Sequence, residues 1–110
     1  MKLSKNLTKK IEANDFSITY CDNGDIYFGK YSSAGQDFGF YARGKNLEEL
    51  ADDIYDYYEC YDPSEEASLW LDSSGHGKNG APYRMIDVYN DMVECEGFIL
   101  ELYELIKEEL

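Results

Sequence analysis

A chain of 110 residues with 44% hydrophobic residues, 15% aromatics and a formal net charge of −13 carries enough apolar material to bury a core and too much for a disordered acidic tail. The charge argues against direct contact with nucleic acid, whose phosphates are gripped by Lys and Arg, and against an anionic membrane surface. It favours a basic protein partner drawn in by long-range attraction.

The opening segment, Leu3 to Ala13, spaces Leu3, Leu7 and Ile11 four apart with lysines between, which predicts a short amphipathic helix. Lys2, Lys5, Lys9 and Lys10 lie in the first tenth of the chain, so the remainder is more acidic still. From Phe16 the period changes to two: Phe16, Ile18 and Tyr20 alternate with polar residues, and Asp22-Asn23-Gly24-Asp25 has the chemistry of a hairpin turn. A second strand is predicted over Asp25 to Tyr31. Ser32 to Gln36, with Gly35, reads as another turn, and Asp37 to Ala42 as a third strand, completing an antiparallel meander.

Gly44-Lys45-Asn46 interrupts the strand pattern. Asn46 suits an N-cap, with Glu49 at the capping-box spacing. Leu47, Leu50, Ala51, Ile54 and Tyr58 then make one apolar stripe at helical period. This helix should stop near Tyr61, because the residue before a proline is steered away from helical dihedrals. Asp62 as cap and Pro63 at the first position start another helix through Leu71, with Ala67, Trp70 and Leu71 inward. Ser73 to Ala81, containing Gly75, Gly77 and Gly80, reads as a loop. After Pro82, Met85, Val88, Tyr89, Met92, Val93, Glu96, Ile99, Leu100, Tyr103, Ile106 and Leu110 recur at helical period, as one long helix or as two abutting at Gly97. The expected architecture is α+β in a single domain over residues 1–110: an N-terminal helix, a three-stranded antiparallel meander, and C-terminal helices packed on one sheet face.

The strongest functional signal lies between Asn46 and Gly77, where ten carboxylates occur without any Lys or Arg. On the helix that follows Asn46 the core stripe leaves Glu49, Asp52, Asp53, Asp56 and Glu59 on the opposite side. Like charges three or four positions apart destabilise a helix by about 0.2 to 0.5 kcal/mol per pair. A face evolved for solubility alone would mix signs and gain that pair energy. Helical neighbours at this spacing are about 5 to 6 Å apart, comparable with successive phosphates of one strand, which rise about 3.4 Å per step along a helical path. The ridge is therefore expected to imitate a phosphate backbone. The candidate partner-binding residues are Glu48, Glu49, Asp52, Asp53, Asp56, Glu59, Asp62, Glu65 and Glu66, with Tyr55 and Tyr58 stacking at the edge.

The other constellations are weaker. His76 lies in a glycine-rich stretch that meets GxGxxG at Gly75, Gly77 and Gly80, but no strand precedes it and the GxxxxGK[ST] spacing is absent. Cys21, Cys60 and Cys95 form no CxxC and are expected as reduced core thiols. With one His, three isolated Cys and no EF-hand pattern, no metal site and no cofactor are predicted. Asp52 and Asp53 are adjacent and point apart, and no GxSxG elbow exists, so catalysis is not expected. No run of 18 apolar residues occurs and the N-terminus lacks the apolar stretch of a signal peptide, so the protein is expected to be cytoplasmic.

The cation-free stretch from Asn46-Leu47-Glu48-Glu49-Leu50-Ala51-Asp52-Asp53 onward, beside a short sheet, resembles the small acidic phage and mobile-element inhibitors of the anti-CRISPR and antirestriction class. That likeness is compositional and covers about a third of the chain. The run from Asp62-Pro63-Ser64-Glu65-Glu66-Ala67-Ser68-Leu69-Trp70 through a glycine loop, Ala81-Pro82 and an acidic terminal helix is similar to an arrangement found in small bacterial proteins of no known activity. The first resemblance implies an inhibitor that blocks the basic groove of a nucleic-acid-binding defence protein. The alternative is a non-catalytic interaction module, including a homodimer formed through apolar contacts of the terminal helix.

Overall fold

The computed structural model describes residues 1–72 and 84–110. The glycine-rich stretch around His76 lies outside the described residues. The elements run α1 (Lys5–Ala13), β1 (Ser17–Tyr20), β2 (Ile26–Tyr31), β3 (Asp37–Ala42), α2 (Leu47–Cys60), α3 (Pro63–Asp72) and α4 (Met85–Lys107). The architecture is α+β, a three-stranded antiparallel sheet in the order β1-β2-β3 with helices packed against it.

Helix α1 begins two residues later than the leucine spacing predicts. Ser4 is its N-cap: the Ser4 hydroxyl accepts from the Leu7 N–H at 3.1 Å, satisfying one of the amides that an N-terminus leaves without a helical partner. Leu7 and Ile11 are buried while the lysines stay outside. Both hairpin turns use glycine where the backbone is left-handed, Gly24 at φ 97° and Gly35 at φ 87°. In the first, the Asn23 side-chain oxygen accepts from the Asp25 N–H at 3.0 Å. In the second, the Gly35 N–H donates to the Ser32 carbonyl and the Ser32 N–H donates to the Gln36 carbonyl, both at 2.9 Å.

Register aligns Ile18 with Phe28 and Phe28 with Phe40 across the sheet. The period of two therefore gathers Ile26, Phe28, Phe38, Phe40 and Ala42 on one face, under the helices. Phe98 of α4 meets this face through a tilted contact with Phe38 at 6.4 Å between ring centroids, and meets Phe16, just before β1, edge-on at 6.5 Å. No described helix covers the opposite face. Tyr31 and Tyr41 stand there at 68% and 61% exposure, and Tyr27 packs on Tyr41 at 5.0 Å. The Tyr27 ring also covers Gly39, where any Cβ would collide with it.

Helix α4 is continuous through Gly97. Its buried residues are Val88, Met92, Cys95, Ile99, Leu102 and Ile106, a spacing of alternating four and three. Val88 and Met92 form a small cluster with Ala67 of α3, and the rest join the main core with α1, α2 and the sheet. Cys95 and Leu102 lie at the centre of this stripe, whereas Met85, Val93 and Leu110 are exposed. Among the cysteines only Cys95 is a core thiol; Cys21 is half-buried and Cys60 exposed, and all three are unbridged. Burial pushes the Cys95 thiol up to about 12, with the Asp91 and Glu94 charges adding to it.

Lys30 is the one cation on the helix-covered sheet face among the described residues. Its ammonium lies 4.8 and 4.6 Å from the centroids of Phe16 and Phe98 and 3.2 Å from Glu101 Oε1. The charge is thus held by a carboxylate and two ring faces as the stem fills the edge of the core.

Candidate protein-binding surface

Helix α2 is set by its two ends. Asn46 Oδ1 accepts from the Glu49 N–H at 2.9 Å, and Glu49 Oε1 accepts from the Lys45 N–H at 3.3 Å. At the other end Tyr61 leaves helical dihedrals with ψ at 121°, and Pro63 disfavours helical dihedrals at Asp62 next along the chain. Asp62 then caps α3 by accepting from the Ser64 N–H at 3.0 Å and the Glu65 N–H at 3.4 Å.

Between those ends, Leu50, Ala51 and Ile54 are buried and Leu47 and Tyr58 pack against the same core. At about 100° per residue, the direction opposite that stripe is occupied by Glu48, Glu49, Asp52, Asp56 and Glu59, all exposed. Glu48, Asp52 and Glu59 fall almost in line along the helix, and Asp56 lies beside them. None of these four takes part in a hydrogen bond or an ion pair of its side chain among the described residues. The described ion pairs lie elsewhere: Lys10 with Glu108, Lys30 with Glu101, Arg43 with Asp25 and Arg84 with Asp87.

The remaining predicted residues have other duties. Asp53 turns toward the sheet, where Oδ2 accepts from the Arg43 N–H at 2.7 Å, while the Arg43 guanidinium holds Asp25. Glu49 and Asp62 hold backbone amides at the helix starts, as described. Glu65 and Glu66 sit in the first turn of α3, where the positive end of the helix dipole offsets their charge. Glu66 is half-buried and faces Tyr57 and Tyr61. Burial raises both phenols, with the Glu66 charge contributing to each. Tyr55 is exposed at one border of the acidic row and rests on Tyr103 at 4.8 Å. Tyr58 lies behind it, half-buried, 5.8 Å from the Tyr55 ring.

Tyr57 was absent from the sequence prediction. It borders the acidic face on the other side, stacked on Phe40 at 4.7 Å with rings within 8° of parallel. Helical phase carries the signal: position 57 falls between the core stripe and the acidic face, where an amphipathic ring has use for both sides.

No group of three or more His, Cys, Asp or Glu side chains converges as a metal site among the described residues. No described helix is long and apolar enough to cross a membrane. No family model, curated protein or solved structure matches the chain. The surface chemistry of α2 is therefore the ground on which function is argued. It offers exposed carboxylates in one row, unneutralised among the described residues and bordered by tyrosine rings.

Proposed function

We propose that this protein is a non-catalytic inhibitor that docks the acidic face of α2 into the basic groove of a nucleic-acid-binding defence protein of the anti-CRISPR or antirestriction target type. The observation that carries the reading is the row Glu48, Asp52, Asp56 and Glu59, exposed and without internal cations. An opposing array of Lys and Arg would recover the self-repulsion of that row on binding and exclude the nucleic acid that the groove normally holds. Tyr55 and Tyr57 at the borders supply amphipathic contact area next to the charges. On this reading the protein needs no cofactor and works in the cytoplasm, where such nucleases meet their substrates.

The test is displacement of a labelled DNA duplex from purified CRISPR effectors and restriction enzymes. Release of the duplex by the wild-type chain, and its retention when Asp52, Asp56 and Glu59 are changed to Asn, Asn and Gln, supports the reading. Release by both chains alike overturns it.

A second reading has its own observation. Ile86, Val93 and Leu100 lie seven apart along α4, and the first two are 52% and 40% exposed, which suits a homodimer along that helix. That reading requires a melting temperature that rises with protein concentration.

A further inference from the structure

Among the described residues strand β3 is an edge of the sheet, paired with β2 on one side only. The Ser32 N–H bond to the Gln36 carbonyl sets the alternation of the ladder. It turns the backbone groups of Phe38, Phe40 and Ala42 toward β2 and those of Asp37, Gly39 and Tyr41 outward. Farther along the same edge the outward Arg43 N–H is taken by Asp53, so the rim is closed there by α2. At Asp37 and Gly39 it opens instead onto a cavity of about 350 Å³ between the strand, α2, α3 and α4.

Phe38, Tyr57, Leu69, Trp70 and Met92 line this cavity, with Asp37 and Glu66 among its polar residues and no Lys or Arg among the described residues of its wall. Leu69 is 58% exposed although it lies on the wall. Proteins ordinarily blunt an open strand edge with Lys, Pro or a bulge. Phe38-Gly39-Phe40-Tyr41 has no such device.

We propose that this groove is a second protein-binding site, which accepts an extended, basic segment of a partner as a fourth strand along Asp37 to Gly39. Backbone hydrogen bonds to the outward groups of β3 supply the pairing, and alternate side chains of the incoming strand face the cavity. An apolar or aromatic residue seats between Tyr57 and Leu69, and a Lys or Arg meets Glu66. The acidic wall selects the sign of the partner, and the strand edge selects its extended shape. The site adjoins the border of the acidic face of α2 at Tyr57 but does not rest on that reading.

The test uses a panel of end-capped heptapeptides that alternate Lys with Val, Leu, Phe or Tyr, and the same panel with Glu in place of Lys. Binding is followed by amide NMR and hydrogen exchange on the full chain. The site predicts that lysine peptides bind at least about tenfold more tightly than their glutamate counterparts, as like charges at a strand-binding wall repel. It predicts slowed exchange at Asp37 and Gly39. N-methylation of one alternate set of peptide amides should weaken binding by about tenfold or more, because those N–H groups face β3, while methylation of the other set changes it little. Glu66→Gln should lower the affinity, and Asp52→Asn with Asp56→Asn should leave it within about threefold at physiological salt, where distant charges are screened. Equal losses from both methylation patterns, or shifts centred on Asp52 and Asp56, overturn the proposal. So does failure of every lysine peptide to bind at millimolar concentration.

Discussion

Neutralising the acidic face should make the folded protein more stable. Changing Asp52 and Asp56 to Asn removes the like-charge pairs Glu48 with Asp52, Glu49 with Asp52, Asp52 with Asp56, Asp53 with Asp56 and Asp56 with Glu59. At about 0.2 to 0.5 kcal/mol each, those pairs amount to about 1 to 2.5 kcal/mol. The lower half of that range is expected, because Glu49 and Asp53 already hold the Lys45 and Arg43 amides, which absorb part of their charge. Among the described residues neither substitution removes a side-chain hydrogen bond, both positions are exposed, and Asn and Asp have similar helix propensity. Urea unfolding followed by circular dichroism should place the midpoint of the double variant higher by about 0.5 to 1 M at low salt. In 0.5 M salt the gain should nearly vanish, since the Debye length there is only about 4 Å. No gain at low salt, or the same gain at both, would refute the claim that this face is under electrostatic strain.

Two further outcomes follow from the core. Lys30→Ala should cost about 2 to 3 kcal/mol, because it strands Glu101 and empties the space between Phe16 and Phe98, whereas Lys30→Met should cost about half as much by keeping the apolar stem; chemical denaturation of the two variants separates charge from packing. Cys95 ties stability to alkaline pH: an exposed thiol ionises near 9 and this one near 12, so between those values the unfolded chain binds fewer protons and stability falls as pH rises. Below about 9 the contribution is fully present, and Cys95→Ala should flatten the decline in a pH series of urea midpoints.

Much of this fold was legible in the sequence where a local rule and the tertiary demand agree. Asn46, Glu49, Asp62 and Pro63 mark the bounds of α2 and the start of α3 because capping and proline sterics act within a few residues. Phe38 and Phe40 alternate with smaller or polar neighbours because one sheet face is buried and the other is open. Helix α4 was less legible. It is enclosed at different levels by α1, α2, α3 and the sheet, so Leu100, Tyr103 and Leu105 are partly buried beside the true stripe and blur its period. Leu102 was missed for that reason, and Cys95 was expected as a core thiol but not as a member of the helical stripe. Ser4 was missed because the leucine spacing suggested a helix beginning before it.

The candidate site was readable in part. Opposite placement of acids and apolar residues on α2 follows from helical phase alone, so Glu48, Asp52, Asp56 and Glu59 could be named in advance. The diversion of Asp53 to the Arg43 amide could not, because the two approach only once β3 and α2 are packed. The groove beside Gly39 was invisible for the same cause: its walls come from segments distant in sequence, and no local pattern joins Phe38 to Leu69.

The central claim is that uncompensated anions on α2 bind cationic side chains of another protein, and its most direct test is the salt dependence of affinity for a nuclease of the proposed target class. The account predicts weakening of at least about tenfold between 50 and 200 mM salt, because exposed charges are increasingly screened over that range, and a shallower dependence once Asp52, Asp56 and Glu59 are neutralised. Affinity that is unchanged across those salts, or equal in the neutralised and wild-type chains, would contradict it.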